Sequence, residues 1–385
     1  MRPTWAEISL TALQDNFHTI ANYVAPEATV CAVVKADAYG HGAAECAKAL
    51  EQVGCTWFGV SSADEGILLR NRGIQGRILL MGGFWPGEEQ AVIEHNLTPA
   101  VWDWPNIELL EDTAHKLRQR ENPLGPAVPV HLKIDTGMSR LGLALDGVGD
   151  FSRRIKSAKH VFLEAVFTHL ASAEIYDSPD VEGQLERFET AIATVTQHGL
   201  TPRYYHAANS AAIAARQNAR KNFVRPGISL YGYYLPFTST LGTASSSSPE
   251  LPVKPVLSWK TRILAIRDVP RHQPISYNGS YVTQAPARIA VLPVGYADGL
   301  RRQLSSRGRV IVRNEYAQMV GNITMDMTMI DITAIAGVKV GDEVTLIGST
   351  EHCRISAWEH ARLAATIPYE ILCGLSSRVP RRYIK

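Results

Sequence analysis

The sequence predicts an α/β architecture, an N-terminal (β/α)8 barrel followed by a mostly β domain. Two observations carry this reading. Between residues 28 and 232, eight short apolar runs alternate with helix-like segments. A repeated strand–helix unit argues for parallel strands joined by crossover helices, and eight such units are what closes a barrel. Beyond a stretch rich in Ser, Thr, Gly and Pro, strand-like runs follow one another with turns between them, the pattern of antiparallel pairing. A chain of 385 residues suits two or three domains.

The eight runs are "TVCAVV", "WFGVS", "RILLM", "LTPAVW", "VPVHLKI", "VFLEAVFTH", "RYYHAA" and "FVRPGISLYG". Among the segments between them, "GQLERFETAIATVTQHG" places Leu185, Phe188, Ile192 and Val195 on one helical face, with Gly199 where a C-terminal cap belongs. Residues 238–252 have no apolar face to bury and read as a linker. The barrel is therefore assigned to 12–237 and the β domain to 253–385. In the β domain "WKTRILAIRDV", "ARIAVLPVGYADG", "GRVIVR", "MTMIDIT" and "DEVTLIG" read as strands, and "SAWEHARLAATIP" as one helix.

Composition excludes several function classes. The chain is 45% hydrophobic with a formal charge of +2, and no basic cluster is dense enough for nucleic acid. The basic tail "RVPRRYIK" reads as a solvated end. The first residues lack the apolar core of a signal peptide, and no apolar run has membrane-spanning length, so a cytoplasmic protein without a membrane partner is expected. Five scattered cysteines form no CxxC pair, which fits free thiols in a reducing compartment and argues against a zinc site. No metal is expected. The glycine pair in "LDGVGDF" lacks the third glycine and preceding strand of a dinucleotide fingerprint.

Residues just past the strands of a barrel share one rim, where active sites lie. Lys35 ends the first run. Lys133, Asp135 and Arg140 follow the fifth, His169 ends the sixth, Asn209 and Ser210 follow the seventh, and Arg225, Gly227 and Ile228 lie in the eighth. Taken singly these residues have ordinary explanations. Lys35 could snorkel at a strand end, Lys133 could be a surface charge, and His169 could be a satisfied core histidine. Together they gather lysines, arginines, a histidine and a serine on one face. Phosphate sites of such barrels form after strands seven and eight, where Ser210 offers a hydroxyl and Gly227 an approachable N–H. A lysine beside a phosphate site suggests a pyridoxal 5′-phosphate Schiff base, and nearby cations lower an amine pKa in the direction this chemistry needs.

The motifs "AVVKADAYGHG", "KIDTGMSRLG", "HAANSAA", "VRPGISLYG", "PVGYADG", "MDMTMIDIT" and "TIPYEILCGLSSRVPRRY" together resemble the alanine racemase family, in order and over nearly the whole chain. The resemblance implies interconversion of L- and D-alanine, supplying D-alanine for peptidoglycan, in a pyridoxal-phosphate homodimer whose active sites lie between subunits. It implies that residues 1–11 add a strand to the β domain. Lys35 matches the lysine that holds the cofactor and acts as one base, and Tyr277 of the partner subunit matches the second base. Tyr39 and Tyr369 match phosphate contacts. Arg140 matches the arginine near the cofactor phenolate and substrate carboxylate, and Lys133 a carbamylated lysine that orients it. Arg225 matches the arginine at the pyridine nitrogen, supported by His169. Met325 matches the partner residue whose backbone meets the substrate carboxylate, and Tyr296 a residue near the substrate entrance; alone, Met325, Met329 and Tyr296 would be packing residues. Asn278 stands where the family has Gly, the best-tolerated replacement if the turn needs positive φ. Thr324 replaces Cys or Ser. A serine or broader racemase remains an alternative, and a basic amino acid decarboxylase of the same fold would carry an acid in place of Arg225.

Overall fold

The computed structural model describes residues 3–121, 127–240 and 251–385. Most of the expected linker, 241–250, lies outside the described residues. The chain divides into two compact units, one of residues 14–38 and 43–253, the other of 1–13, 39–42 and 254–385. The first strand, β1 (Thr4–Ser9), belongs to the second unit.

The first unit is a nearly closed parallel barrel. Its strands are β2 (Thr29–Val33), β3 (Trp57–Val60), β4 (Arg77–Leu80), β5 (Leu97–Val101), β6 (Val128–Lys133), β7 (Val161–Phe167), β8 (Tyr204–His206) and β9 (Phe223–Val224). They pair in parallel in the spatial order β8-β7-β6-β5-β4-β3-β2-β9. All eight expected runs supply one strand each. Strands β3 and β5 are buried at every position, as near-continuous apolar runs must be when a barrel covers one face and helices the other. The interior is filled by Cys31, Trp57, Leu79, Ala165, Tyr204 and Phe223. Trp57 meets Tyr204 and Phe223 edge-on, at 5.7 and 5.2 Å between ring centroids, the favoured aromatic geometry. Of the face expected for the helix Pro179–Gln197, Leu185, Phe188 and Val195 are buried and Ile192 is half-buried, and Gly199 follows at φ +75°.

The second unit is a mostly antiparallel sheet. It comprises β1, β10 (Leu257–Arg262), β11 (Ala265–Val269), β14 (Ala287–Leu292), β15 (Arg309–Val312), β16 (Glu315–Val320), β17 (Thr328–Asp331), β18 (Glu343–Ser349) and β20 (Arg381–Ile384), with β19 (Arg354–Ile355) beside β18. Within this sheet, only the β1–β20 pair is parallel among the described strands. A separate hairpin joins β12 (Pro274–Ile275) to β13 (Tyr281–Val282). Two expectations need correction. "WKTRILAIRDV" is two strands, because the ladder breaks at buried Ile263 and exposed Leu264; β10 pairs with β1 and β11 with β14. "EYAQMV" is a strand the hydrophobic pattern did not mark, since Glu315, Tyr316 and Gln318 face solvent and only Ala317, Met319 and Val320 are buried. Among the described residues, no helix is long and apolar enough to cross a membrane.

Candidate active site

Lys35 is half-buried just beyond β2. The coil that follows is left-handed: Ala36, Asp37, Ala38 and Tyr39 have φ between +51° and +53°, and Gly40 has +82°. Runs of left-handed non-glycine residues are strained, costing roughly 1–2 kcal/mol per residue. Specific bonds hold this one. Ala36 N–H donates to Glu65 Oε1 at 2.7 Å, whose other oxygen accepts from Ser61 N–H, and Asp37 Oδ1 accepts from Ala43 N–H at 2.8 Å. At Gly40 a Cβ would lie 2.3 Å from the Leu372 carbonyl oxygen, so no other residue fits.

Lys133 is buried at the end of β6. Burial, and then the charges of Arg140, Arg225 and Lys35, push its amine down to about 8. His169 is pushed down to about 3 by burial and by Arg225, Arg140, Lys133 and Lys35, so it is neutral. Four cationic groups, Arg225, Arg140, Lys133 and Lys35, thus lie within electrostatic reach of His169. Arg140 is exposed on a loop shaped by Asp135, whose Oδ1 accepts from the N–H groups of Gly137, Met138 and Ser139 at 3.0 to 3.1 Å. A small cleft is lined by Lys133, Asp135, Met138, Arg140, Thr168 and His169.

After β8 and β9, Ser210 Oγ accepts from Gly227 N–H at 2.9 Å and Ser229 N–H at 3.3 Å, so residues 227–229 wrap around the hydroxyl. Ile228 is buried in this wrap. Asn209 caps the helix Ser210–Ala215, its Oδ1 accepting from Ala212 N–H at 3.0 Å. Arg225 is buried, which pulls its guanidinium down to about 10. It donates to the Thr168 and Ala207 carbonyls at 2.8 and 3.2 Å and to His206 Nδ1 at 2.5 Å, while His169 Nδ1 stands 3.5 Å away.

The β unit exposes a second group. Tyr277 is 70% exposed at the tip of the β12–β13 hairpin. Ser276 and Asn278 flank it at φ +69° and +63°, so the turn does require positive φ at position 278 and Asn supplies it. Ser276 Oγ donates to the Asn322 carbonyl at 3.0 Å, and Asn322 Nδ2 donates to the Tyr277 carbonyl at 3.2 Å. Tyr296 and Met325, also exposed, are tied together: Tyr296 N–H donates to Thr324 O and Ala297 N–H to Met325 O, at 3.0 and 3.1 Å. Gly295 permits this, since a Cβ there would lie 2.2 Å from the Thr324 oxygen. Tyr39, buried, meets Tyr369 at 5.9 Å between ring centroids.

Models of the alanine racemase N-terminal domain and C-terminal domain match residues 8–235 and 256–383. The alanine racemases of Symbiobacterium thermophilum and Geobacter sulfurreducens are each 40% identical, over 100% of this chain and 97% of theirs. The chain belongs to the alanine racemase family. It is accordingly an enzyme, an amino-acid isomerase. Among solved structures, alanine racemase of Clostridium difficile matches with a TM-score of 0.89 at 34% identity, covering 100% of this chain and 96% of that one. That of Bacillus anthracis, with bound L-Ala-P, matches at 0.86 and 32%, with coverage of 100% and 96%.

In this member of the alanine racemase family, sequence reading passed over the groups behind the rim. His206 contacts Arg225 more closely than His169 does, and His131, Glu164 and Arg77 continue inward from it. Gln184 was also missed: it bonds the Thr136 hydroxyl, the His169 carbonyl and Ala171 N–H, tying two rim loops to one helix. The available signal was a polar residue at an inward position within an apolar run, as in "VHL" and "LEA".

Proposed function

We propose that the protein interconverts L- and D-alanine, using pyridoxal 5′-phosphate carried on Lys35. The observation that supports this reading is the rim itself: burial, and then the charges of Lys35, Lys133, Arg140 and Arg225 on one another, depress Lys133 and His169, and such a gathering of cations suits a dianionic cofactor and a substrate carboxylate. The wrap of residues 227–229 gathers the Gly227 and Ser229 N–H groups with the Ser210 and Ser229 hydroxyls, donors that would hold a phosphate in exchange for the bonds they make to one another, and the family resemblance adds Tyr39 and Tyr369 as proposed phosphate contacts. When bound, the cofactor acidifies the Cα proton of an amino acid.

Racemisation removes a proton from one face of Cα and returns one to the other. Lys35 serves one face and Tyr277 of the partner subunit the other, in a homodimer with shared sites. A tyrosine acts as a base at neutral pH only with positive charge beside it, which Arg140 or the bound cofactor's own charge distribution would supply. Arg140 and the backbone at Met325 of the partner subunit take the substrate carboxylate, and Tyr296 lines the approach. Arg225, which stays charged and has no proton to give up, would hold the pyridine nitrogen without protonating it, so that the bound cofactor would supply a weaker electron sink and transamination would be limited. A carbamate on Lys133 would turn a cation into an anion able to orient Arg140. The product would serve peptidoglycan synthesis in the cytoplasm.

The test is to incubate purified protein and pyridoxal phosphate with L-alanine and L-serine and follow the D product. D-alanine should form faster than D-serine, and borohydride should fix the cofactor on the Lys35 peptide. Preferred turnover of serine, release of an amine and carbon dioxide, or label on Lys133 would overturn the assignment.

A further inference from the structure

The barrel interior holds an unbroken polar chain that the reaction residues do not account for. Arg225 contacts His206 Nδ1, and His206 Nε2 lies 3.1 Å from His131 Nδ1. His131 Nε2 lies 3.4 Å from Glu164 Oε2, and Glu164 is held by both terminal nitrogens of Arg77. Arg77 in turn stacks over Trp57 at 4.1 Å and donates to Thr98 Oγ1 at 3.2 Å. Both histidines are fully buried, with Phe167 stacked on His206 at 4.6 Å and Trp57 tilted against His131 at 5.4 Å. Arg77 begins β4 whereas Arg225 follows β9, so the chain runs from the strand-start end of the barrel to its catalytic rim.

The ends dictate the direction of every bond. A guanidinium can only donate and a carboxylate can only accept. Burial keeps both imidazoles neutral, so each has one donor and one acceptor. Burial raises Glu164, but hydrogen bonds from His131 and Arg77 more than offset it and bring the carboxyl down to about 2, so this end stays an anion. One arrangement satisfies all groups: Arg225 donates to His206 Nδ1, His206 donates from Nε2 to His131 Nδ1, and His131 donates from Nε2 to Glu164.

We infer that Glu164 is a positioning residue for the reaction, fixing the tautomers of His131 and His206 and through them the orientation of the Arg225 guanidinium. This rests on the proposed role of Arg225 at the pyridine nitrogen. Glu164→Gln is the informative variant because it keeps the shape. Arg77 draws the new amide oxygen, which turns the amide NH2 toward His131. His131 must then accept at Nε2 and donate from Nδ1, which places a proton on His206 Nδ1 facing a guanidinium that is itself a donor.

The experiment uses full-length protein labelled with 15N in the histidine rings, with and without pyridoxal phosphate, assigned with His131→Gln and His206→Gln. In the wild type both rings should carry their proton on Nε2. In Glu164→Gln both should shift to Nδ1, and kcat for alanine should fall by on the order of 10- to 100-fold, the loss that outer hydrogen-bond partners of metal ligands show when removed, with KM changed far less. A wild-type His206 protonated on Nδ1 would overturn the inference whether or not the variant folds. So would a variant with inverted tautomers and unchanged kcat, or one with unchanged tautomers. Failure of the racemase reading would instead appear as an inactive wild type whose ring tautomers are still as stated.

Discussion

Lys133 shows how single residues here are set by their neighbours. A lysine at that position in the sequence is most simply a surface charge, but the fold buries it beside Arg140, Arg225 and Lys35 and lowers its amine to about 8. Only the neutral amine reacts with carbon dioxide, and the neutral fraction grows as pH rises through that value. At fixed dissolved carbon dioxide, a 13C carbamate signal should therefore strengthen between pH 7 and pH 9 and be absent from Lys133→Ala. A signal that persists in that variant, or none in the wild type, would reject the carbamate. Residue types were legible where motif and strand end coincide, as at Lys35 and Arg225. The roles of His131, His206 and Glu164 were not, because their partners come from different strands and meet only after the barrel closes.

Among the elements, the barrel strands could be read directly because each is a short, mostly apolar run separated from the next by a helix-like segment. The left-handed coil after Lys35 could not, since Ala36 and Ala38 carry no preference for positive φ and the conformation is imposed by Glu65, Asp37 and the close approach at Gly40. This makes a mutational prediction with an unusual sign. In a right-handed helix Ala→Gly costs ~1 kcal/mol. At exposed Ala36 the substitution should leave stability unchanged or raise it by about 1 kcal/mol, because relieved left-handed strain offsets the added chain entropy. Denaturant midpoints of Ala36→Gly and Ala36→Val would decide. A loss of ~1 kcal/mol for Gly, or no further loss for Val, would mean that the coil is not strained in solution.

At the scale of the whole molecule, the proposed mechanism draws one of its two bases from each unit. The barrel presents Lys35 among cations, and the β unit presents Tyr277, Tyr296 and Met325 on exposed turns. The two-part architecture was legible in the change from alternating strand–helix runs to consecutive strands. The strained hairpin that exposes Tyr277 was legible only at Asn278, where a residue tolerant of positive φ stands. The proposed dimer places Lys35 of one subunit opposite Tyr277 of the partner subunit. Lys35→Ala and Tyr277→Phe homodimers should each racemise poorly. A mixed dimer should hold one site with both bases and one with neither. Subunit exchange between the two variants, verified by mass spectrometry, should restore up to about half of wild-type activity per mixed dimer, from counting sites in a symmetric pair. Verified exchange with no recovered activity would contradict the account, because the two bases would then lie in one chain or Tyr277 would not be a base.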